Sequence, residues 1–294
     1  MAKARNVLVL FGIGAVLLVA GYFGAKFMAE NVAEQKVKEF FAGMDDVAHA
    51  QYGEVEVDLF SHEAVIHDLT IAVLGGKDID VRKFTLSRYE EKDGLPSALK
   101  VRFEGVTLPV TPEYFAGSAA DMKAMGYDEF HCDYAMDYEY HEKEKSFELR
   151  DFSLAVADAG RLSLSLRLAN VNMKDLVAGG ASSMLVGIEG AKLRYEDDSL
   201  LGRAIKAAAQ EQGLSEEQLM EQFYAGIDGE IERNRAKGQD FAVQVLEQLR
   251  RFVDNRKSIS VSASPAEPVA VLQLLGLDDA AKVVRALGVK VEAE

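Results

Sequence analysis

The chain has 294 residues, of which 49% are hydrophobic and 28% charged, and its formal net charge is -15 at pH 7. This excess of acidic residues, and the lack of a long run of Lys and Arg, argue against nucleic-acid binding, because contacts with phosphates need a cluster of basic side chains. The single cysteine, Cys132, excludes an internal disulfide and every zinc site built from several cysteines.

The segment Asn6–Ala25, NVLVLFGIGAVLLVAGYFGA, contains no charged residue and lies between Arg5 and Lys26. A helix of this length spans about 30 Å, which matches the hydrocarbon core of a bilayer. The segment therefore predicts a transmembrane helix, and residues 6–25 would be the contact with the membrane. A cleavable signal peptide is the alternative, because the segment is N-terminal and follows basic residues. No clean small-x-small cleavage site ends the long apolar run, which favours an uncleaved anchor.

The charges around this segment predict an orientation. We expect residues 1–26 to form a cytoplasmic tail and the transmembrane anchor, and residues 27–47 to form a helical stalk. A short basic tail ahead of a large acidic domain favours a single-pass protein of the cell inner membrane. Residues 48–294 would then be a periplasmic domain.

The apolar period changes to two after the stalk. In YGEVEVDLF, the residues Val55, Val57 and Leu59 alternate with acids, and similar runs continue as far as Asp197. Such alternation buries one face of each strand and exposes the other, which is typical of antiparallel sheets and not of buried parallel ones. Residues 48–197 therefore predict a large, curved antiparallel sheet of about eight to ten strands. The stretch TPEYFAGSAADMKAMG interrupts it and predicts a small helical insert.

The period becomes helical again after Asp198. Helices are indicated by SLLGRAIKAAAQEQG, by SEEQLMEQF with Ser215 and Gln218 at capping-box positions, by DGEIERNRAKG and by DFAVQVLEQLRRFVDN. SISVSASP then predicts a strand, PVAVLQLLG and DDAAKVVRALG two short helices, and VKVEAE a closing strand. The predicted fold class is α+β: an N-terminal transmembrane helix, then one domain in which helices of residues 198–294 pack on the antiparallel sheet.

The stretch FHCDYAMDYEYHEK holds the residues best suited to chemistry, and an extended strand sorts them by side. One side carries Phe130, Cys132, Tyr134, Met136, Tyr138 and Tyr140, and the other carries His131, Asp133, Asp137, Glu139 and His141. We interpret the polar side as a solvated sheet face. The alternative is a metal site in which His131, Asp133 and His141 are the ligands.

The aromatic side of this strand is predicted to be core under the C-terminal helices. If those helices leave a gap, the stripe would instead line a groove for an acyl chain or a partner peptide. The groove residues would be Phe130, Tyr134, Met136, Tyr138 and Tyr140. Cys132 lies on this side without a neighbouring base, so a cysteine nucleophile is not expected. No Gly-x-Ser-x-Gly elbow or phosphate-binding loop is present in the sequence, and we expect no cofactor.

Several stretches carry a resemblance to known proteins. The strands VEVDLFSHEAVIHDLTIAVLGG and IDVRKFTLSRY, placed after an N-terminal anchor, resemble bacterial AsmA-like and YdgA-like cell-envelope proteins. The ending LRYEDDSLLGRAIKAAAQEQGLS, with the later SISVSASPAEPV and LGVKV, is similar to the ends of uncharacterised envelope proteins. The resemblance implies a role in the envelope and supplies no catalytic residues.

The function expected from the sequence is that of a membrane-anchored, periplasmic, noncatalytic protein that binds a lipid or maintains the envelope. A scaffold subunit of an envelope protein assembly is the alternative, and a metal-dependent envelope enzyme is a further one. Lipid binding predicts a continuous apolar groove open to solvent. A scaffold predicts a filled sheet and an exposed apolar patch on a helix.

Overall fold

The computed structural model describes residues 48–57, 63–73, 78–92, 95–177, 184–277 and 279–294. Within these ranges it consists of antiparallel strands and helices, and the chain divides into two compact parts, residues 1–139 and 140–294. The predicted antiparallel sheet with helices is confirmed.

The transmembrane helix in the predicted fold class is wrong: in the described ranges, no helix is both long and apolar enough to cross a bilayer. The longest of them, Glu216–Ala236, begins with Glu216 and Glu217 and carries Arg233 and Arg235 in its last turn. Such charges are costly in hydrocarbon, so this helix belongs at a protein surface. The predicted span Asn6–Ala25 and the predicted stalk, residues 27–47, lie outside the described residues.

The first part is an antiparallel sheet. Its strands are β1 (Ala48–Gln51), β2 (Val55–Val57), β3 (Ala64–Val73), β4 (Ile79–Lys92), β5 (Leu95–Pro109) and β6 (Glu129–His141), the last of which runs past the division between the parts. The strand order is β1-β3-β4-β5-β6, and β2 pairs with β3. The register brings the apolar residues of successive strands onto one side.

One row of that side shows how the core of the first part is built. Ile66, Phe84, Phe103 and Tyr134 lie opposite one another across β3–β6, and all four are buried. The ring centroids of Phe84 and Phe103 are 4.7 Å apart, and those of Phe103 and Tyr134 are 5.8 Å apart. Aromatic pairs at such distances contribute about 0.5–1.5 kcal/mol beyond their burial. This face is a closed core.

A short helical insert separates β5 from β6, as predicted. It consists of α1 (Pro112–Phe115) and α2 (Ala119–Ala124). Pro112 stands at the start of α1, where its missing N–H removes no helical hydrogen bond. Tyr114 and Phe115 are buried, so the insert is packed by its own aromatic residues.

The second part consists of antiparallel strands with helices inserted between them. In chain order it contains β7 (Ser146–Val156), β8 (Gly160–Ala169), α3 (Met173–Val177), β9 (Gly187–Asp197), α4 (Leu200–Gln212), α5 (Glu216–Ala236), α6 (Asp240–Asn255), β10 (Ser258–Ala263), β11 (Val269–Ala270), α7 (Val271–Leu275), α8 (Ala280–Leu287) and β12 (Lys290–Ala293). The strand order is β7-β8-β9-β10-β12, and β11 pairs with β9.

The helices α4–α6 form the connection from β9 to β10. The predicted capping box is present: the N–H of Gln218 donates to Ser215 Oγ at 3.1 Å, and the N–H of Ser215 donates to Gln218 Oε1 at 3.0 Å. Ile227 and Ile231 of α5 pack with Val243 of α6 in a small buried cluster. The connection is therefore a helical layer with its own core.

Candidate functional site

The polar side of β6 is engaged in local contacts. His131 is exposed, with its Nε2 atom 3.1 Å from Glu129 Oε1 and its Nδ1 atom 3.3 Å from Thr107 Oγ1. Further along the strand, Arg88 donates two hydrogen bonds to the carboxylate of Glu139, at 2.9 and 3.1 Å. A bidentate pair of this kind fixes both side chains in a structural role.

Asp133 supports a bulge in the neighbouring strand. The pairing of β5 with β6 shifts register between Phe103 and Val106, and Gly105 has a φ of 64°. The N–H of Gly105 donates to Asp133 Oδ1 at 2.8 Å. An extra residue in a bulge loses its ladder partner, so Asp133 satisfies an N–H that the sheet leaves unpaired.

The metal ligands considered from the sequence do not assemble in the structure. Across the described ranges, no group of three or more His, Cys, Asp or Glu residues is placed to hold a metal ion. His131 and Asp133 contact protein groups as above, and His141 is half-buried at the end of β6.

Cys132 is also unsuited to chemistry. Burial raises the pKa of its thiol from an ordinary value of 9.0 to about 12, and the negative charge of Asp133 acts in the same direction. Because the thiolate is the nucleophile, a thiol that stays protonated at neutral pH is inert.

The aromatic stripe of β6 is largely core. Tyr134 and Met136 are buried, and the hydroxyl of Tyr134 donates to Met136 Sδ at 3.5 Å. The half-buried Phe130 contacts the ring of Phe115 at 5.5 Å between centroids and that of Tyr127 at 4.9 Å. The insert thus packs on this end of the stripe.

The last two residues of the stripe are half-buried. Tyr138 lies opposite Leu99 of β5, which is itself buried. In the second part, the Tyr140 hydroxyl donates to the carbonyl oxygen of Val171 at 3.1 Å. Both residues therefore have neighbours within their own part.

A different apolar surface, in the second part, remains accessible. Pairing of β7, β8, β9 and β10 places Phe152, Leu164, Leu193 and Val261 in one row across the sheet. Neighbouring rows extend this surface on the same side, because directly paired residues share a face. We call it the open face, and it consists of Phe152, Leu154, Leu162, Leu164, Leu166, Leu168, Ile188, Leu193 and Val261. Leu149, opposite Leu166, and Val291, opposite Val261, lie on the same side but are buried, so they mark where its cover begins.

The open face has no complete layer above it. Leu193 and Val261 are each 42% exposed, and the other seven residues are half-buried. Leu193 lies on β9 with β8 on one side and β10 on the other. Its exposure therefore arises above the sheet and not at an edge. Central strand positions of the first part, such as Phe103, are buried instead.

The helical layer covers only one end of this surface. Phe252 and Val253 of α6 form a buried cluster with Ala293 of β12, and Tyr195 and Ile259 pack against it. The rings of Tyr195 and Phe252 meet edge to face at 6.0 Å. Because α6 packs against β10 and β12, the side of the sheet toward β7 and β8 lies beyond it.

The opposite face of the same strands is polar. One row consists of Ser163, Arg194, Ser260 and Glu292. Arg194 Nε lies 3.0 Å from Glu196 Oε1, and Arg194 Nη2 lies 2.9 Å from Glu294 Oε2. Ser260 is itself buried and Arg194 is half-buried, so this face is polar and internally paired. The contrast in polarity leaves the apolar, partly exposed open face as the surface that needs an explanation.

Sequence reasoning identified the alternation of these strands but missed the site. RLSLSLRLANVNM places Leu162, Leu164, Leu166 and Leu168 on one side of a strand, which is a visible signal for an apolar face. Nothing local in the sequence distinguishes an apolar face that is covered from one that is not.

Comparisons with known proteins give two matches, and neither has a name that states a function. A family model described only as "Uncharacterized protein" matches residues 153–294. An uncharacterized protein of Aquifex aeolicus (strain VF5) is 23% identical over 289 residues, which cover 93% of this chain and 92% of that one. The stretch matched by the family model begins within β7 and includes most of the open face.

These two matches do not test the AsmA-like and YdgA-like resemblance, because neither carries a name of that kind. The resemblance stays a prediction, and so do the inner-membrane and periplasmic locations.

Proposed function

We propose that this protein is a noncatalytic binding protein that holds the acyl chain of a lipid on the open face. The observation that carries the proposal is the 42% exposure of Leu193, an apolar residue in the middle of the sheet. Contiguous exposed apolar surface of this kind marks interaction sites in soluble domains. A hydrocarbon ligand would remove that surface from water.

The chemistry of the open face fits a hydrocarbon better than a peptide. Eight of its nine residues are aliphatic, Phe152 being the exception, and none carries a polar side-chain atom. The backbone groups of its strands are paired within the sheet. Protein partners are usually anchored by Tyr, Trp and Arg and by about ten hydrogen bonds across the interface.

The dimensions of the open face also fit. Leu162 to Leu168 on β8 span about 20 Å at 3.3 Å per residue. An acyl chain that crosses one leaflet extends about 15 Å, half the hydrocarbon thickness of a bilayer. A chain of about 14 methylenes that buries half its surface gains about 5–6 kcal/mol, at ~0.8 kcal/mol per methylene. This corresponds to a dissociation constant near 0.1 mM, which suits a ligand that is exchanged.

We propose a noncatalytic role because the residues best suited to chemistry are engaged in contacts within the sheet. Cys132 stays protonated at neutral pH, and Asp133 is held by the N–H of Gly105. The neighbouring His131 contacts Glu129 and Thr107. These residues have roles within the sheet.

The test is titration of the full chain with a palmitate analogue that carries a fluorophore. We expect saturable binding, and we expect the double variant Leu193→Gln, Val261→Thr to bind at least tenfold more weakly, because both changes place polar atoms on the open face. The control is Ser262→Thr, a change on β10 that lies on the opposite, polar face. Circular dichroism checks that each variant is folded. Equal affinity of the double variant and the wild type would show that palmitate binds elsewhere and would refute the proposal.

A further inference from the structure

Two stretches of the second part carry no charge in a chain of which 28% is charged. They are residues 176–188, LVAGGASSMLVGI, and residues 268–277, PVAVLQLLGL. The residues that border them, Asp175, Glu189, Glu267 and Asp278, are all acidic. Uncharged runs of this length are expected inside a core or at an apolar contact.

The strand β11 brings the two stretches together. Val269 pairs with Ile188, and Ala270 pairs with Gly187. Immediately afterwards, the N–H of Val271 donates to the carbonyl oxygen of Val186 at 3.0 Å. The short helix α7 therefore begins beside the start of β9.

The meeting point is exposed and apolar. Met184 is 46% exposed, Leu185 56%, Leu272 51% and Leu275 68%. We call these four residues the apolar corner. Leu272 and Leu275 belong to α7, and Met184 and Leu185 lie shortly before β9. All four are therefore presented by short local segments. Single large apolar residues scattered over a surface are common and need no explanation. Four of them in two adjoining segments form a cluster, which does need one.

The apolar corner continues the open face. Ile188 lies opposite both Leu168 of β8 and Val269 of β11, so Val269 adds to the same side of the sheet. An acyl chain that enters along β8 would meet the corner first at that end. The open face, which would bind the acyl chain, is therefore continuous with the apolar corner, which could contact the lipid that supplies the chain.

We propose that the apolar corner docks the protein onto a neutral, zwitterionic lipid layer, from which the open face receives its acyl chain. This inference rests on the proposed function. The corner presents on the order of 300 Å² of apolar surface, less than the ~800 Å² that each partner buries in a stable protein interface. Insertion into a lipid layer has no such minimum, because each side chain is buried separately.

The sequence neighbours of the two uncharged stretches, together with the net charge, indicate the kind of lipid. All four bordering residues are acids, and the protein carries a net charge of -15. Anionic headgroups would be repelled at this surface, whereas zwitterionic headgroups carry no net charge. Docking is therefore expected on phosphatidylcholine and weaker on phosphatidylglycerol.

The test is co-sedimentation of the full chain with phosphatidylcholine vesicles. We expect the double variant Leu272→Ser, Leu275→Ser to partition about 30-fold less well, since each leucine has half or more of its surface still to bury. The control is Ala280→Ser, Ala281→Ser, which adds the same hydroxyls at exposed positions of α8. We also expect weaker binding to vesicles with phosphatidylglycerol.

Each outcome separates this inference from the proposed function. If the leucine double variant loses vesicle binding but binds the soluble palmitate analogue normally, both proposals hold. If the wild type binds palmitate but does not sediment with vesicles, docking by the corner is overturned and the open face is not. If it sediments through Leu272 and Leu275 but does not bind palmitate, the open face is overturned alone. A dimer that Leu272→Ser, Leu275→Ser dissociates, seen by sedimentation velocity, would make a second copy the occupant and overturn lipid docking.

Discussion

The openness of the sheet face can be measured by comparing two leucines of the second part. Leu193 lies on β9 and is 42% exposed, whereas Leu149 lies on β7 and is 9% exposed. The perturbation is Leu→Ala at each position. Both changes cost similar strand propensity, so the difference in unfolding free energy reports the cover above each side chain.

The expected magnitudes follow from burial. Leu→Ala removes three carbons, or about 2.4 kcal/mol of transfer free energy when the side chain is fully buried. Scaled by the buried fraction of Leu193, this is about 1.4 kcal/mol, and no cavity forms because solvent fills the space. Leu149→Ala should lose almost the full transfer free energy and also leave a cavity, for a total of about 3 kcal/mol.

The assay is urea denaturation of the full chain, followed by fluorescence and circular dichroism. The two compact parts can unfold in separate transitions, so both variants are compared on the transition of the second part, to which both residues belong. We expect Leu149→Ala to be more destabilising by 1 kcal/mol or more, with similar m-values. Equal losses would mean that Leu193 is covered in solution, and the open face would not exist as described.

The first part allows two further tests. Gly105→Ala should destabilise the β5–β6 bulge by about 1–2 kcal/mol, because the residue has a φ of 64° and a Cβ would lie 2.9 Å from Arg82 Cβ. The control is Gly117→Ala, because nothing lies within 4 Å of a Cβ placed there. Equal losses of unfolding free energy in the two variants would contradict the reasoning. Because burial raises the Cys132 pKa from 9.0 to about 12, native protein at pH 8.5 should react with iodoacetamide far more slowly than urea-unfolded protein. The same shift makes stability fall as pH rises from about 9 toward 12, since only the unfolded thiol has ionised there, and Cys132→Ala should remove this decline. Fast alkylation of the native state would show that the thiol is accessible and ionised.

The side of the strand on which each residue lies could be predicted because it depends only on a period of two. The assignment of His131 and Asp133 to one side of β6 and of Tyr134 and Met136 to the other agrees with their observed exposure. The capping box of Ser215 and Gln218 was equally local, since its partners are three residues apart. Interactions between residues so close in the chain can be predicted from the sequence, because they do not depend on how distant segments pack.

The transmembrane helix was the element of the predicted fold class that failed. Among the described helices, α5 has the length for such a role, with 21 residues, and it carries charges in both its first and its last turn. The predicted span Asn6–Ala25 itself lies outside the described residues.

The sequence by itself determined which residues alternate, where helices begin and which strand faces are apolar, because each of these is a matter of neighbouring residues. Only the tertiary structure decided which apolar face is covered. The alternation that buries Phe103 in the first part leaves Leu193 exposed in the second, because α6 packs over β10 and β12 and not over the middle of the sheet. The pairing of β11 with β9 likewise joins two uncharged stretches about eighty residues apart in the chain. Coverage and long-range pairing depend on where distant segments pack, and that is a property of the whole fold.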